Sequence, residues 1–272
     1  MNEGIDYNRA LTAAKEAMKK TGLTVLPVAD FLGWNKKTSA NAMWALEVIA
    51  TQSEGFPGFF SHMDADAPGM YASRARRIIS TGLYNLIPST DERKIQWWRA
   101  PMSSDKEQTG NSMVSYCQLK FRYANVTTRI GDYLIMRVEE MILIAAEAEA
   151  RLDNYTEARR YLQLLGDKRD PKYADRLAGL VNGKTYGSNT LDAPTNVLEE
   201  VLLQRRIELW GEYPRGFDLK RLRLGYNRTY TGSNHTYKIQ VAVADKRLTL
   251  PIPQAEFDGN VNMDQIKDQN PM

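Results

Sequence analysis

Apolar positions recur at helical spacing most regularly between residues 132 and 166. In DYLIMRVEEMILIAAEAEARLDNYTEARRYLQLLG, Leu134, Val138, Met141, Ala145, Ala148 and Leu152 fall on one face at intervals of three and four. Ile135, Ile142 and Ala146 widen that face, which predicts a helix buried over much of its circumference. Asp153 and Asn154 break the pattern, and a second helix is predicted to end at Gly166, with Ala158, Tyr161, Leu162 and Leu165 inward. So short a connection makes the two helices antiparallel.

Elsewhere the pattern is weaker. Residues 5–20 form an alanine-rich segment with Asp6 as a cap and Gly22 as a stop, which predicts a helix. A third long helix is predicted from Thr195 to Glu212. Asn41 to Ile49 fits a strand or a short helix, residues 112–124 fit a strand or hairpin, and Lys238 to Ala244 and Arg247 to Pro251 fit strands. Residues 22–32 and 166–194 read as irregular, and 53–73 as a long loop of glycine, proline, aromatics and aspartates. RLDNYTEARRYLQLL resembles half of a tetratricopeptide repeat, in which an aromatic follows the turn and a small alanine permits close packing. The fold class is therefore mainly α: tetratricopeptide-like helix pairs with irregular loops and a few short strands. No linker or low-complexity segment divides the chain, so one domain is expected.

The 272 residues can bury a sizeable core. The 36 basic and 33 acidic residues are interleaved, which leaves no electrostatic footprint for nucleic acid. Cys117, the single cysteine, excludes an internal disulfide and any multi-cysteine metal site, and reads as a buried thiol. No run approaches the roughly 18 consecutive apolar residues of a membrane span, and the first twenty residues lack the basic-then-apolar layout of a secretory signal.

The densest chemistry lies in LLQRRIELWGEYPRGFDLKR, residues 202–221. On the third helix Leu198, Val201, Leu202, Arg205, Leu209 and Glu212 share a face, so charges stand in line with an apolar stripe and require partners. Glu208 is three positions from Arg205, and Arg215 and Asp218 follow on a turn marked by Pro214 and Gly216. One reading makes Glu208 and Glu212 an acid/base pair of the kind used in glycoside hydrolysis. The arginines around them should keep both ionised, whereas a general acid needs one raised pKa. Arg205, Glu208, Glu212, Arg215 and Asp218 are therefore expected to form a structural network.

Three motifs resemble the SusD/RagB family of outer-membrane nutrient-binding lipoproteins. The first is Arg137 and Glu140, MILI at 141–144, and Ala146, Glu147, Ala148. The second is Glu208, Leu209, Gly211, Glu212, Arg215, Phe217, Asp218, Leu219 and Arg221, with Gly216 where many members carry an aromatic. The third is Pro251, Pro253, Glu256, Asn260, Gln269, Asn270 and Pro271. The resemblance runs from about residue 130 to 272. It implies a SusD-like fold, no catalysis, no cofactor, an outer-membrane location through a lipid anchor absent from this chain, and a SusC-like TonB-dependent transporter as partner. Members are usually nearly twice as long, so residues 1–272 are expected to be the C-terminal part of a single SusD-like domain. Arg137 and Glu140 are expected to belong to the structural network.

The family binds saccharides on exposed aromatic rings flanked by polar groups, in sites that vary in sequence, so ligand candidates come from loop chemistry. The loop from Gly55 to Tyr71 offers Phe56, Phe59, Phe60, His62, Asp64, Asp66 and Tyr71; a second cluster is Trp97, Trp98 and Arg99. Asp64 and Asp66 lack the further oxygen ligands and the twelfth-position acid of a calcium loop, so no metal is expected. Three functions follow in order. The first is surface capture of oligosaccharide, or of peptide, for delivery to the transporter. The second is a helical scaffold in which residues 134–165 dock a protein. The third is a glycosidase, for which no nucleophile elbow, phosphate loop or zinc motif is present.

Overall fold

Asp6 accepts a hydrogen bond from the Arg9 amide at 3.0 Å, and Gly22 stops the same helix in left-handed backbone at φ 62°, so α1 spans Tyr7–Thr21 between the ends its sequence marks. The structure, a computed structural model, describes residues 6–53, 56–108, 110–187, 191–212, 215–243, 245 and 250–270. Two units are distinguished: one within Met1–Tyr186 and Leu191–Leu209, the other within Gly187–Thr190 and Trp210–Met272.

After α1, the first unit contains β1 (Ala42–Leu46), α2 (Phe59–Met63), α3 (Thr81–Leu86), α4 (Glu92–Gln96), β2 (Tyr133–Arg137), α5 (Val138–Arg151), α6 (Tyr155–Gly166), α7 (Tyr173–Ala178) and α8 (Val197–Glu208). Helix α5 is central. Its Ala145, Ala146, Ala148 and Ala150 are fully buried, and methyl side chains let α1, α6 and α8 approach closely. Ile142, Leu143, Leu162, Leu165, Val197, Leu198 and Val201 fill the space between these helices. The α5–α6 turn falls where the sequence breaks: Asp153 takes φ 64°, and the Asn154 amide and Nδ2 both bond Glu149.

Five expectations are corrected. The long helix begins at Val138, because residues 133–137 pair antiparallel with β1, placing Ala42 opposite Arg137 and Leu46 opposite Tyr133. Glu139 and Glu140 then occupy the first turn of α5, where carboxylates favour the helix dipole. Helix α8 stops at Glu208 because left-handed Gly211, φ 77°, ends the run three residues later; Pro214 lies outside the described residues. The loop 53–73 holds α2 and a 3₁₀ turn at Tyr71–Ser73, and the crossing segment 166–194 holds α7. Residues 112–124 form only isolated bridges to Gly33, Ile78 and Trp98, since Tyr116 at φ 64° interrupts extension and successive amides serve three different segments.

The second unit holds α9 (Arg215–Arg221), a two-residue ladder of β3 (Tyr226–Asn227) with β4 (Gln240–Val241), and α10 (Gln254–Gly259). The strand expected over 238–244 is thus reduced to its centre, and most of that expected over 247–251 lies outside the described residues, as does Pro271. The closing motif has a local purpose: the Gln269 side chain bonds both the amide and carbonyl of Ile252, and Asn270 Nδ2 bonds the Leu250 carbonyl.

Gly166 at the end of α6 lies under the Tyr173 ring, which a Cβ would overlap. Gly166→Ala should therefore cost about 1–3 kcal/mol of stability in urea titration, reversing the roughly 1 kcal/mol gain that the same change gives in an open helix.

Candidate functional site

Glu208 is fully buried, and each carboxylate oxygen accepts two arginine hydrogen bonds. Oε1 accepts from Arg137 Nη1 at 2.7 Å and Arg169 Nη2 at 2.9 Å; Oε2 accepts from Arg93 Nη1 at 2.8 Å and Arg169 Nε at 2.9 Å. Its backbone carbonyl accepts from Arg137 Nη2 and from Lys120 Nζ. Asp91 grips Arg93 through two oxygens, at 3.0 and 2.7 Å, while Glu139 pairs with Arg137 at 3.1 Å and Arg169 at 3.3 Å. Three arginines thus face three carboxylates with no access to solvent. Burial pushes the Glu208 carboxyl up, but Arg169, Arg137 and Arg93 outweigh it and hold it well below the usual carboxylate range.

Lys120 is the extra cation, and its Nζ stands 4.2 Å from the Trp34 ring centroid, 4.7 Å from Trp97 and 5.0 Å from Phe121. The polar chain continues from Arg93 through Gln204 to Glu200, which also accepts from the Tyr173 hydroxyl at 3.0 Å. A carboxylate so enclosed and so strongly ionised has no proton to give and no substrate within reach, which removes the Glu208–Glu212 acid/base reading.

The network was expected to join Arg137 and Glu140 to residues 205–218; of these Arg137, at the β2–α5 junction, bonds Glu208, and the other two arginines that grip it come from α4 and the α6–α7 turn. Arg205 is buried on α8, Glu140 is half-buried on α5, and Glu212 and Arg215 are half-buried in the second unit, where buried Asp218 accepts from Arg221 Nε at 2.8 Å. Sequence reasoning missed Asp91, Arg93, Lys120, Glu139 and Arg169. Only Glu139 carried a signal, since it repeats at helical spacing with buried Ile142, Leu143 and Ala146.

The ligand candidates divide sharply. Trp97 and Trp98 are 0% and 1% exposed, so neither ring offers a face to a sugar. Trp97 instead meets Trp34 edge-on at 5.1 Å and helps to enclose Lys120. Arg99 is half-buried and donates to Ser112 Oγ at 3.2 Å. Phe60 is 2% exposed, packed on Tyr123, Tyr133 and Gly131. Trp97, Trp98 and Phe60 are corrected from recognition to packing, because burial leaves their rings no open face.

The rest of the 55–71 loop converges at the surface. Tyr71 is 45% exposed and lies between Phe56, 49% exposed at 4.2 Å, and His62, stacked at 4.7 Å with rings 17° apart. Phe59, 38% exposed, precedes His62 by one turn of α2 and meets Phe121 edge-on at 5.3 Å, and His62 Nδ1 shares a hydrogen bond with the Gly58 carbonyl at 3.1 Å. Two aspartates fasten the loop from beneath. Asp64 accepts from the amides of Tyr123 and Asp66, and Asp66 from the Ser112 amide and hydroxyl and from Arg122. Burial pushes the Asp64 carboxyl up despite those bonds, whereas in Asp66 the bonds from Ser112 and the charge of Arg122 overcome burial and hold it low. Cys117 beneath the same region is buried, its thiol pushed up to about 11 by desolvation.

Comparison with known proteins fixes the lineage of this arrangement. The sequence profile of the SusD family matches residues 89–272. SusD-like protein P2 of Formosa agariphila is 28% identical over 153 residues, which are 53% of this chain and 28% of that protein. A SusD superfamily protein from Bacteroides thetaiotaomicron VPI-5482 is similar in fold with TM-score 0.68 at 23% identity, over 98% of this chain and 57% of that one. A SusD-like carbohydrate binding protein from Bacteroides vulgatus ATCC 8482 gives TM-score 0.60 at 24% identity, over 86% and 47% of the two chains. The chain spans about half the length of these solved structures.

Removing one charge should unbalance the interior. Glu208→Gln should cost about 3–5 kcal/mol in urea unfolding at neutral pH, since three arginines lose their shared partner. The pH dependence has a fixed sign. Glu208 is held below its unfolded value near 4.5, so its contribution is complete above that pH and is lost as pH falls toward the folded value. Urea midpoints measured from neutral pH down to about pH 3 should therefore fall more steeply for the wild type than for Glu208→Gln.

Proposed function

The chain belongs to the SusD family, and from that membership we propose that it captures oligosaccharide at the outer face of the outer membrane and passes it to a SusC-like TonB-dependent transporter without chemical turnover. The observation that carries the reading is the surface stack of Phe56, Tyr71 and His62 with Phe59 beside it. Apolar CH faces of a sugar ring stack on such rings, and the hydroxyls find polar groups at their edges. The stack rests on a braced loop, so little ordering opposes binding. A relative of the same fold is described as a carbohydrate binding protein, which supports the saccharide over the peptide alternative. Among the described residues no helix is long and apolar enough to cross a membrane, and attachment to the outer membrane is assigned to the family's lipid anchor.

Isothermal calorimetry over a panel of oligosaccharides tests the proposal. Tyr71→Ala and Phe56→Ala should each weaken binding about tenfold or more, as central aromatic anchors do, with the melting temperature within a few degrees of wild type. Tyr237→Ala, which removes an exposed ring of the second unit, should leave affinity unchanged. Binding that ignores Tyr71 and Phe56, or release of shortened sugars during the titration, would contradict the assignment.

A further inference from the structure

Charge is distributed unevenly around the aromatic stack. Over the whole chain 36 basic residues face 33 acidic ones, yet the two segments that frame the stack, 67–90 and 111–131, contain Arg74, Arg76, Arg77, Lys120, Arg122 and Arg129 and not one Asp or Glu. Three of these cations are committed internally. Arg76 donates to the carbonyls of Asn111 and Gln108, Lys120 to that of Glu208, and Arg122 pairs with Asp66 at 3.2 Å. Arg74, Arg77 and Arg129 are exposed, and within the described residues their side chains make no hydrogen bond or ion pair.

Two of the three are tied to the segments that carry the stack. Arg74 follows Tyr71 by one turn of the 3₁₀ segment Tyr71–Ser73, with its amide bonded to the Tyr71 carbonyl at 3.0 Å, and side chains three apart eclipse in that geometry. Arg129 is joined to the other end of the loop, where Ser53 Oγ, three residues before Phe56, donates to the carbonyls of Thr128 at 3.0 Å and Arg129 at 3.3 Å. The nearby described acids do not answer them. Asp64 and Asp66 hold the loop as described above, and Asp132 accepts from the amides of Val48 and Lys37. In sequence Glu54 alone adds an acid within three positions of Phe56.

On the reading of this surface as a saccharide site, we infer that its ligand is an acidic oligosaccharide, whose carboxylate or sulfate groups meet Arg74 and Arg129 while its sugar rings stack on the open face of Phe56 and run along the exposed edge of Tyr71. Guanidinium forks suit both anions, because each presents paired oxygens to parallel N–H donors. Neutral sugars would leave both arginines solvated and gain only the stacking.

Calorimetry with an oligogalacturonate, a sulfated galactan oligosaccharide and a neutral oligosaccharide of matched length separates these cases. One of the two acidic probes should bind more tightly than the neutral one, and the one that does identifies the anion. Its affinity should fall as ionic strength rises and should drop about tenfold in the Arg74→Gln, Arg129→Gln double variant, whose unchanged melting temperature confirms folding. Binding of the neutral probe should stay constant in both tests. Tighter binding of the neutral probe that depends on Tyr71 and not on the arginines would overturn the acidic ligand while leaving saccharide capture intact. Silence from all three probes would overturn both.

Discussion

One carboxylate, that of Glu208, holds the first unit in register. The arginines that grip it arrive from α4, from the junction of β2 with α5, and from the turn between α6 and α7, separated from it by 115, 71 and 39 residues in sequence. In an interior of low dielectric such an ion cluster is tolerated only when every charge is answered and hydrogen-bonded. Asp91 and Glu139 complete that balance, and the rings around Lys120 hold the remaining cation. Any slip of one segment would strand a buried charge. The cluster therefore selects one arrangement of segments, where a purely apolar core would accept several.

That arrangement decides what reaches the surface. Trp34, Trp97 and Phe121 surround Lys120 directly beside the ion cluster, so the largest rings of the region are spent on packing. The loop that follows Gln52 is fastened to the same framework through Phe60, Asp64 and Asp66, which leaves Phe56, Phe59, His62 and Tyr71 to face outward. The buried cluster and the surface rings use neighbouring stretches of chain but different side chains.

Much of this was legible locally. Asp6 and Gly22 bounded α1, Asp153 and Asn154 marked the helix turn, and the charges of Arg205 and Glu212 in line with the apolar stripe of the third helix called for buried partners. The identity of those partners was not legible. Arg93 lies in DERKIQ and Arg169 in GDKRDPK, charge-rich stretches without apolar period that read as solvated surface. Their burial is imposed by elements distant in sequence, and pattern arguments see only near neighbours. The same limit misplaced Trp97, whose neighbours Trp34 and Lys120 lie far along the chain, and Trp98, buried beside it. Phe59, His62 and Tyr71 remain at the surface, as their local loop chemistry suggests, whereas Phe60 is buried against Gly131, a neighbour distant in sequence.

The account stands on Glu208 being an ionised structural centre and not a proton donor. Following the Glu208 side-chain carboxyl by carbon NMR while folded protein is titrated downward from neutral pH tests this most directly. The prediction is a carboxylate signal that persists through its ordinary value of 4.5 until the protein unfolds. A titration midpoint at or above 4.5 in the folded state would contradict it.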